Sequence, residues 1–77
     1  MRRQNHSYYV VMIDFGKRGL EAIVDPEITR REVVSRLKSG EYKNVAFIHR
    51  IEDGLVEDVT AELIEAAEQL AREEEAA

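Results

Sequence analysis

The sequence predicts a small α+β domain of order ββαβα, with a three-stranded mixed sheet, its first strand central, and two helices mainly on one face. Apolar side chains fill both alternating positions of residues 8–13, which is typical of a strand covered on both faces. Residues 25–40 carry the start and stop signals of one helix, and residues 58–74 follow a helical period. Because 77 residues leave room for one core, we predict a flexible tail over residues 1–7 and a single domain over residues 8–77.

The first two strands are predicted to form a hairpin. The first runs over residues 8–13 and is rich in β-branched and aromatic residues. Residues 15–19 contain two glycines, which permit the positive φ angles of a tight turn. The second strand covers residues 20–24 and ends at Asp25-Pro26, because proline lacks the N–H that a ladder needs.

The first helix is predicted over residues 30–39. Thr29 and Glu32 have the spacing of a capping box, and Ile28 and Val33 can pack together across the helix start. Gly40 follows the last turn, where a left-handed residue commonly ends a helix.

The second half is predicted to hold one more strand and one more helix. The strand covers residues 45–51, residues 52–54 form a turn, and residues 55–57 form a short extended piece. A helix follows from Asp58 or Thr60 to Glu74. The long connection between strands two and three predicts a right-handed crossover that makes them parallel, with strand one between them and antiparallel to both.

Two helices cover one face of such a sheet, so the other face keeps apolar side chains that favour a partner. We predict that this is an interface, with Tyr9, Val11, Ile13 and Phe15 as candidates. The acidic second helix is the alternative contact surface. The partner is expected to be a second copy of the chain, either in simple contact or by exchange of an element (domain swapping), with another protein as the alternative.

The charge is unevenly distributed. Residues 1–40 hold eight Lys/Arg and five Asp/Glu (+3), residues 41–77 hold three and eleven (−8), and the sum is the net charge of −5. Lys17, Arg18, Arg31 and Lys38 form a candidate basic patch, in which helix 30–38 and hairpin tip 17–18 would contact nucleic acid. The acidic net charge and the lack of a nucleic-acid-binding signature argue against this alternative.

Catalytic and metal sites have little support. His49 is a candidate functional histidine, either partly buried and structural or the general base of a small enzyme. The chain has no cysteine, its two histidines are far apart, and no serine stands in a nucleophile motif. We therefore expect no catalytic residues, no metal and no cofactor.

Three segments carry a resemblance: residues 8–14, YYVVMID; residues 24–30, VDPEITR; and residues 46–49, AFIH. They are similar to those of short uncharacterised alphaproteobacterial proteins, over about residues 8–68. The resemblance implies a bacterial cytosolic origin and transfers no catalytic or binding residue. No apolar stretch approaches the length of a membrane span, and we expect a cytoplasmic protein.

Together these observations predict a non-enzymatic interaction or regulatory module that forms a homodimer. A nucleic-acid-associated protein is the second hypothesis, and a small enzyme using His49 is the third.

Overall fold

A computed structural model of the protein describes residues 7–76. The predicted tail lies outside the described residues except for Ser7, which is the first residue of strand β1. The elements follow in the order β1 (Ser7–Asp14), a 3₁₀ turn (Gly16–Arg18), β2 (Leu20–Val24), α1 (Arg30–Ser39), β3 (Val45–Glu52), β4 (Leu55–Asp58) and α2 (Thr60–Ala76).

The predicted three-stranded mixed sheet is wrong. The sheet has four strands in the order β2-β1-β3-β4, and every neighbouring pair is antiparallel. The additional strand is β4, for which the sequence predicts only a short extended piece over residues 55–57. It pairs with β3 because Asp53 and Gly54 both have positive φ angles (52° and 81°), as a two-residue hairpin turn of the Asp-Gly type requires.

Strand β1 has an inner position between β2 and β3. Because β2 and β3 are each antiparallel to β1, they run in the same direction, and α1 connects them across β1. The α+β class, the inner position of the first strand and its antiparallel pairing with both neighbours are therefore as the sequence predicts, whereas the strand count and the description of the sheet as mixed are not.

Helix α1 begins and ends at the residues that the sequence predicts. Glu32 N–H donates to the Thr29 hydroxyl (3.2 Å), and Thr29 N–H donates to the Glu32 carboxylate (3.0 Å), so both halves of the capping box are present. Ile28 and Val33 are both buried in the core. Gly40 has φ 84° and ends the helix in the left-handed conformation.

The two helices pack side by side and run in the same direction. Arg30 at the start of α1 lies 3.5 Å from Glu62 in the first turn of α2, and Lys38 in the last turn of α1 pairs with Glu74 near the end of α2. The basic first helix therefore meets the acidic second helix within one chain.

The core lies between the helices and one face of the sheet. Its buried side chains come from β1, β3, both helices, the loops beside α1 and the residue between β4 and α2, and they are Tyr9, Val11, Ile13, Ile28, Val33, Val34, Tyr42, Ile48, Val59, Leu63 and Ala67. The sheet and the helix pair thus form two layers, and within residues 7–76 neither helix lies on the second face of the sheet.

Candidate interaction surface

We call the helix-packed side of the sheet the covered face and the opposite side the open face. Because side chains alternate along a strand, the strand register assigns each residue to one of the two faces. The buried side chains Val11 and Ile48 are opposite each other on the covered face. The open face is formed by twelve side chains in four rows, which are Leu20, Ala22 and Val24 of β2, Tyr8, Val10, Met12 and Asp14 of β1, Phe47, His49 and Ile51 of β3, and Val56 and Asp58 of β4.

Nine of these twelve side chains are apolar or aromatic, the other three are His49, Asp14 and Asp58, and none is Lys or Arg. The rows on β1 and β3 are half-buried by their neighbours, whereas the outer positions are more exposed, with Leu20 at 58% and Val56 at 61%. A continuous apolar surface of this kind marks an interaction site more often than a catalytic one.

The predicted interface residues lie elsewhere. Tyr9, Val11 and Ile13 are only 2–7% exposed and form the core under the helices, so they are not accessible in the folded chain. Both sets of alternating side chains on β1 are apolar, and the helices pack on the set that we predicted to be open. Phe15 is 41% exposed in the turn after β1, where the Arg18 guanidinium carbon lies 5.5 Å from its ring centroid.

The four residues of the predicted basic patch belong to separate elements. Lys17 and Arg18 are in the 3₁₀ turn between β1 and β2, whereas Arg31 and Lys38 are on α1. Lys38 Nζ is 2.5 Å from the Glu74 carboxylate, so α2 already neutralises this cation. A phosphate backbone needs several clustered cations, and the open face supplies none.

His49 lies on the open face in a cross-strand pair with Asp58. Its ring stacks on Phe47 with centroids 4.1 Å apart, and its side chain is 30% exposed. His49 Nε2 is 3.9 Å from Asp58 Oδ2, which is longer than a hydrogen bond. Within residues 7–76, no three His, Cys, Asp or Glu side chains come together as metal ligands.

Asp58 links the open face to the helix layer. Its Oδ1 accepts the Thr60 hydroxyl (2.6 Å) and the Thr60 backbone N–H (2.9 Å), which fixes the start of α2. These hydrogen bonds to Thr60, with a smaller contribution from the charge of His49, lower the pKa of the Asp58 carboxyl. The Thr60 hydroxyl also accepts a hydrogen bond from the Ile48 N–H (2.8 Å), which connects the start of α2 to the middle of β3.

Two arginines make local pairs that lie away from the open face. A hydrogen bond to Glu52 (2.6 Å) raises the pKa of Arg50, and a hydrogen bond to the Tyr42 hydroxyl (3.1 Å) raises that of Arg36. Both guanidinium groups stay charged. Their partners hold loops and strands in place, and Arg50 also lies 3.5 Å from the Glu57 carboxylate of β4.

No family model, curated protein or solved structure matches the chain. In the described part of the chain, neither helix has the length and apolar character needed to cross a membrane.

The open face contains functional candidates that sequence reasoning missed. Tyr8, Val10 and Met12 alternate with the residues that we selected, and Phe47 and Ile51 continue their rows on β3. The Asp-Gly turn could have identified β4 and with it Val56, because this dipeptide is a strong signal for a two-residue hairpin.

Proposed function

We propose that the protein is a non-enzymatic interaction module that associates with a second copy of itself through the open face. One observation carries the proposal: nine of the twelve side chains on this face are apolar or aromatic, and neither of the two helices within residues 7–76 covers them. Burial of such a surface contributes roughly 25 cal/mol per Å².

Two open faces can stack as the sheets of a β-sandwich do. Such sheets pack about 10 Å apart with their strands within about 30° of each other. A second copy fits because the contact is isologous, so that each face supplies apolar rows for the other. The absence of Lys and Arg from the face leaves no cation to be buried without a partner, and it favours this occupant over a nucleic acid.

The size of the face indicates a weak dimer. Four strands spaced about 4.8 Å apart give a width of about 19 Å, and six residues of strand give a length of about 20 Å. The flat area is therefore roughly 400 Å², before side-chain relief is added, compared with about 800 Å² per partner in a standard interface. We expect association that depends on protein concentration.

Light scattering over a wide concentration range tests the proposal. We expect the wild-type mass to rise above that of one chain, and Val10→Lys to shift the association to higher concentration at least about tenfold. Val10 lies in the middle of the open face, and a lysine there can extend past its neighbours to water in the single chain but not in the dimer.

The matched control is Leu55→Lys. Leu55 is 75% exposed on the opposite side of the sheet from the open face, so this variant adds the same charge and should associate like the wild type. A wild-type mass of one chain at every concentration contradicts the proposal. Equal effects of the two lysine variants contradict the assignment of the contact to the open face.

A further inference from the structure

Strand β2 is the least protected part of the sheet. All five of its residues are exposed, and Leu20, Ile23 and Val24 are 58%, 37% and 49% exposed. It forms one end of the sheet order, so only β1 pairs with it among the described strands. Natural edge strands usually carry charges, proline or a bulge that prevent further pairing, but β2 has one charge, Glu21, and no proline.

The backbone of β2 presents a row of hydrogen-bonding groups to the outside. Phe15 N–H donates to the Gly19 carbonyl (2.9 Å), and these two residues are opposite each other in the β1–β2 register. In an antiparallel pair, hydrogen-bonded and non-hydrogen-bonded positions alternate. Glu21 and Ile23 therefore point their N–H and C=O groups toward β1. The groups of the other three residues, Leu20, Ala22 and Val24, point away from the sheet.

We propose that β2 pairs antiparallel with β2 of a second copy, with the two-fold axis at Ala22, to form a continuous eight-stranded sheet. A strand that pairs with its own copy across a two-fold axis must be antiparallel to it. In this register Ala22 is opposite Ala22 of the second copy, and Leu20 is opposite Val24. These are the residues whose backbone groups point outward, so the two strands can form six hydrogen bonds.

The side chains suit the same register. Leu20, Ala22 and Val24 lie on the open face, so apolar residues meet apolar residues across the new contact. On the covered side, Glu21 is opposite Ile23 of the second copy, and the two glutamates are not opposite each other. No like charges are brought into direct opposition.

Strand β4, at the other end of the sheet, is less suited than β2 to pair with its own copy. Strand β4 has four residues, and Glu57 and Asp58 are two of them. An antiparallel pair centred on either acid places like charges directly opposite, which is destabilising. A pair centred on Val56 leaves only two or three residues of each strand in contact. The backbone and side-chain arguments therefore both assign the contact to β2.

This edge contact is independent of the contact between open faces, and the two are compatible. The edge two-fold axis is perpendicular to the sheet, whereas the axis that stacks two open faces lies parallel to it. Where these perpendicular two-fold axes intersect, they generate a closed tetramer. Edge pairing also joins two open faces into one larger apolar surface, which compensates for the small area of each.

Amide hydrogen exchange and light scattering on Val10→Lys, in which the face contact is weakened, test the edge contact alone. We expect this variant to remain a dimer at high concentration, with the Ala22 and Val24 amides protected at least about tenfold more than at low concentration. The double variant Val10→Lys, Ala22→Pro should be a single chain, because proline removes the outward N–H of residue 22 and leaves the β1–β2 hydrogen bonds intact.

Ala22→Lys is a second test that does not depend on how the chain tolerates proline, because it places two lysines opposite each other at the axis. Ala22→Val is the control and should keep the dimer, since it retains the N–H and favours a strand. The edge contact is overturned if Val10→Lys has the mass of a single chain at all concentrations. It is also overturned if Ala22→Lys dimerises as strongly as Ala22→Val. If Val10→Lys changes nothing and Ala22→Lys dissociates the protein, the face contact is wrong and the edge contact stands.

Discussion

The covered and open faces of the sheet are built from similar residues and have different surroundings. On β1, Val11 is 2% exposed on the covered face, and its neighbour Val10 is half-buried on the open face. On β3, Ile48 has no exposed surface, and Ile51 is half-buried. The apolar content of a face therefore does not indicate whether the chain itself covers it.

The helices and their connections decide which face is covered. The pair of helices supplies Val33, Val34, Leu63 and Ala67 to the covered face only. The right-handed preference of a crossover concerns the path of the backbone. It does not determine which of the two alternating sets of β1 side chains faces the helices. The remaining apolar face is available for a second chain, which is the basis of the proposed function.

Matched substitutions on β3 give the largest expected difference between the faces. Ile48→Ala should lower the free energy of unfolding by about 2–5 kcal/mol, because it removes three buried carbons and leaves a cavity among the helices and β1. Ile51→Ala should cost about 1 kcal/mol or less in the single chain, since solvent already reaches this side chain.

Urea denaturation at low protein concentration measures both values. If Ile48→Ala does not fold, Ile48→Val replaces it, with an expected loss of about 0.5–1.5 kcal/mol. Equal losses for Ile48→Ala and Ile51→Ala would show that the two faces are equally buried in solution, contrary to the covered-and-open distinction.

Local signals in the sequence were sufficient for α1. Thr29, Glu32 and Gly40 determine where it begins and ends through contacts within a few residues, and the structure has those contacts. The apolar stripe of α2 also agrees, because Val59, Leu63 and Ala67 are buried at helical spacing. Such features depend on neighbours in the sequence and can be derived from it.

Apart from β4, whose Asp-Gly turn is a local signal, the features that failed depend on distant parts of the chain. The choice between Tyr9 and Tyr8 as the exposed tyrosine of β1 requires knowledge of where α2 packs, some fifty residues later. Tyr42 is buried although it lies outside every predicted helix and strand, and the Arg36 guanidinium donates a hydrogen bond to its hydroxyl. A register shift between Met12 and Ile13 places Val45 on the covered face, although simple alternation puts it with Phe47.

A smaller effect is expected at Asp58, where the chain passes from the open face to the helix layer. The folded state lowers the pKa of this carboxyl, so the charged form contributes stability that is fully present above the unfolded pKa of about 3.9. That contribution is lost as the pH falls through the lower folded pKa. Asp58→Asn should be less stable than the wild type near neutral pH.

Urea midpoints of the wild type and Asp58→Asn, measured from about pH 7 to about pH 2.5, test this expectation. The gap between the two curves should narrow as the pH falls below about 4, because the protonated carboxyl and the amide then have the same charge. A constant gap over the whole range would show that Asp58 does not titrate differently in the folded and unfolded states.

The smallest expected effect is at the ion pair that joins the two helices above the covered face. Lys38 and Glu74 have side chains that are 25% and 57% exposed, so solvent and salt screen their attraction. A double-mutant cycle with Lys38→Met and Glu74→Gln should give a coupling energy of at most about 1 kcal/mol, which decreases as salt is added. The apolar contacts on the covered face, and not this pair, would then hold the helices on the sheet. A larger coupling that does not respond to salt would mean that charge pairing between the helices is a main reason why they cover one face and leave the other open.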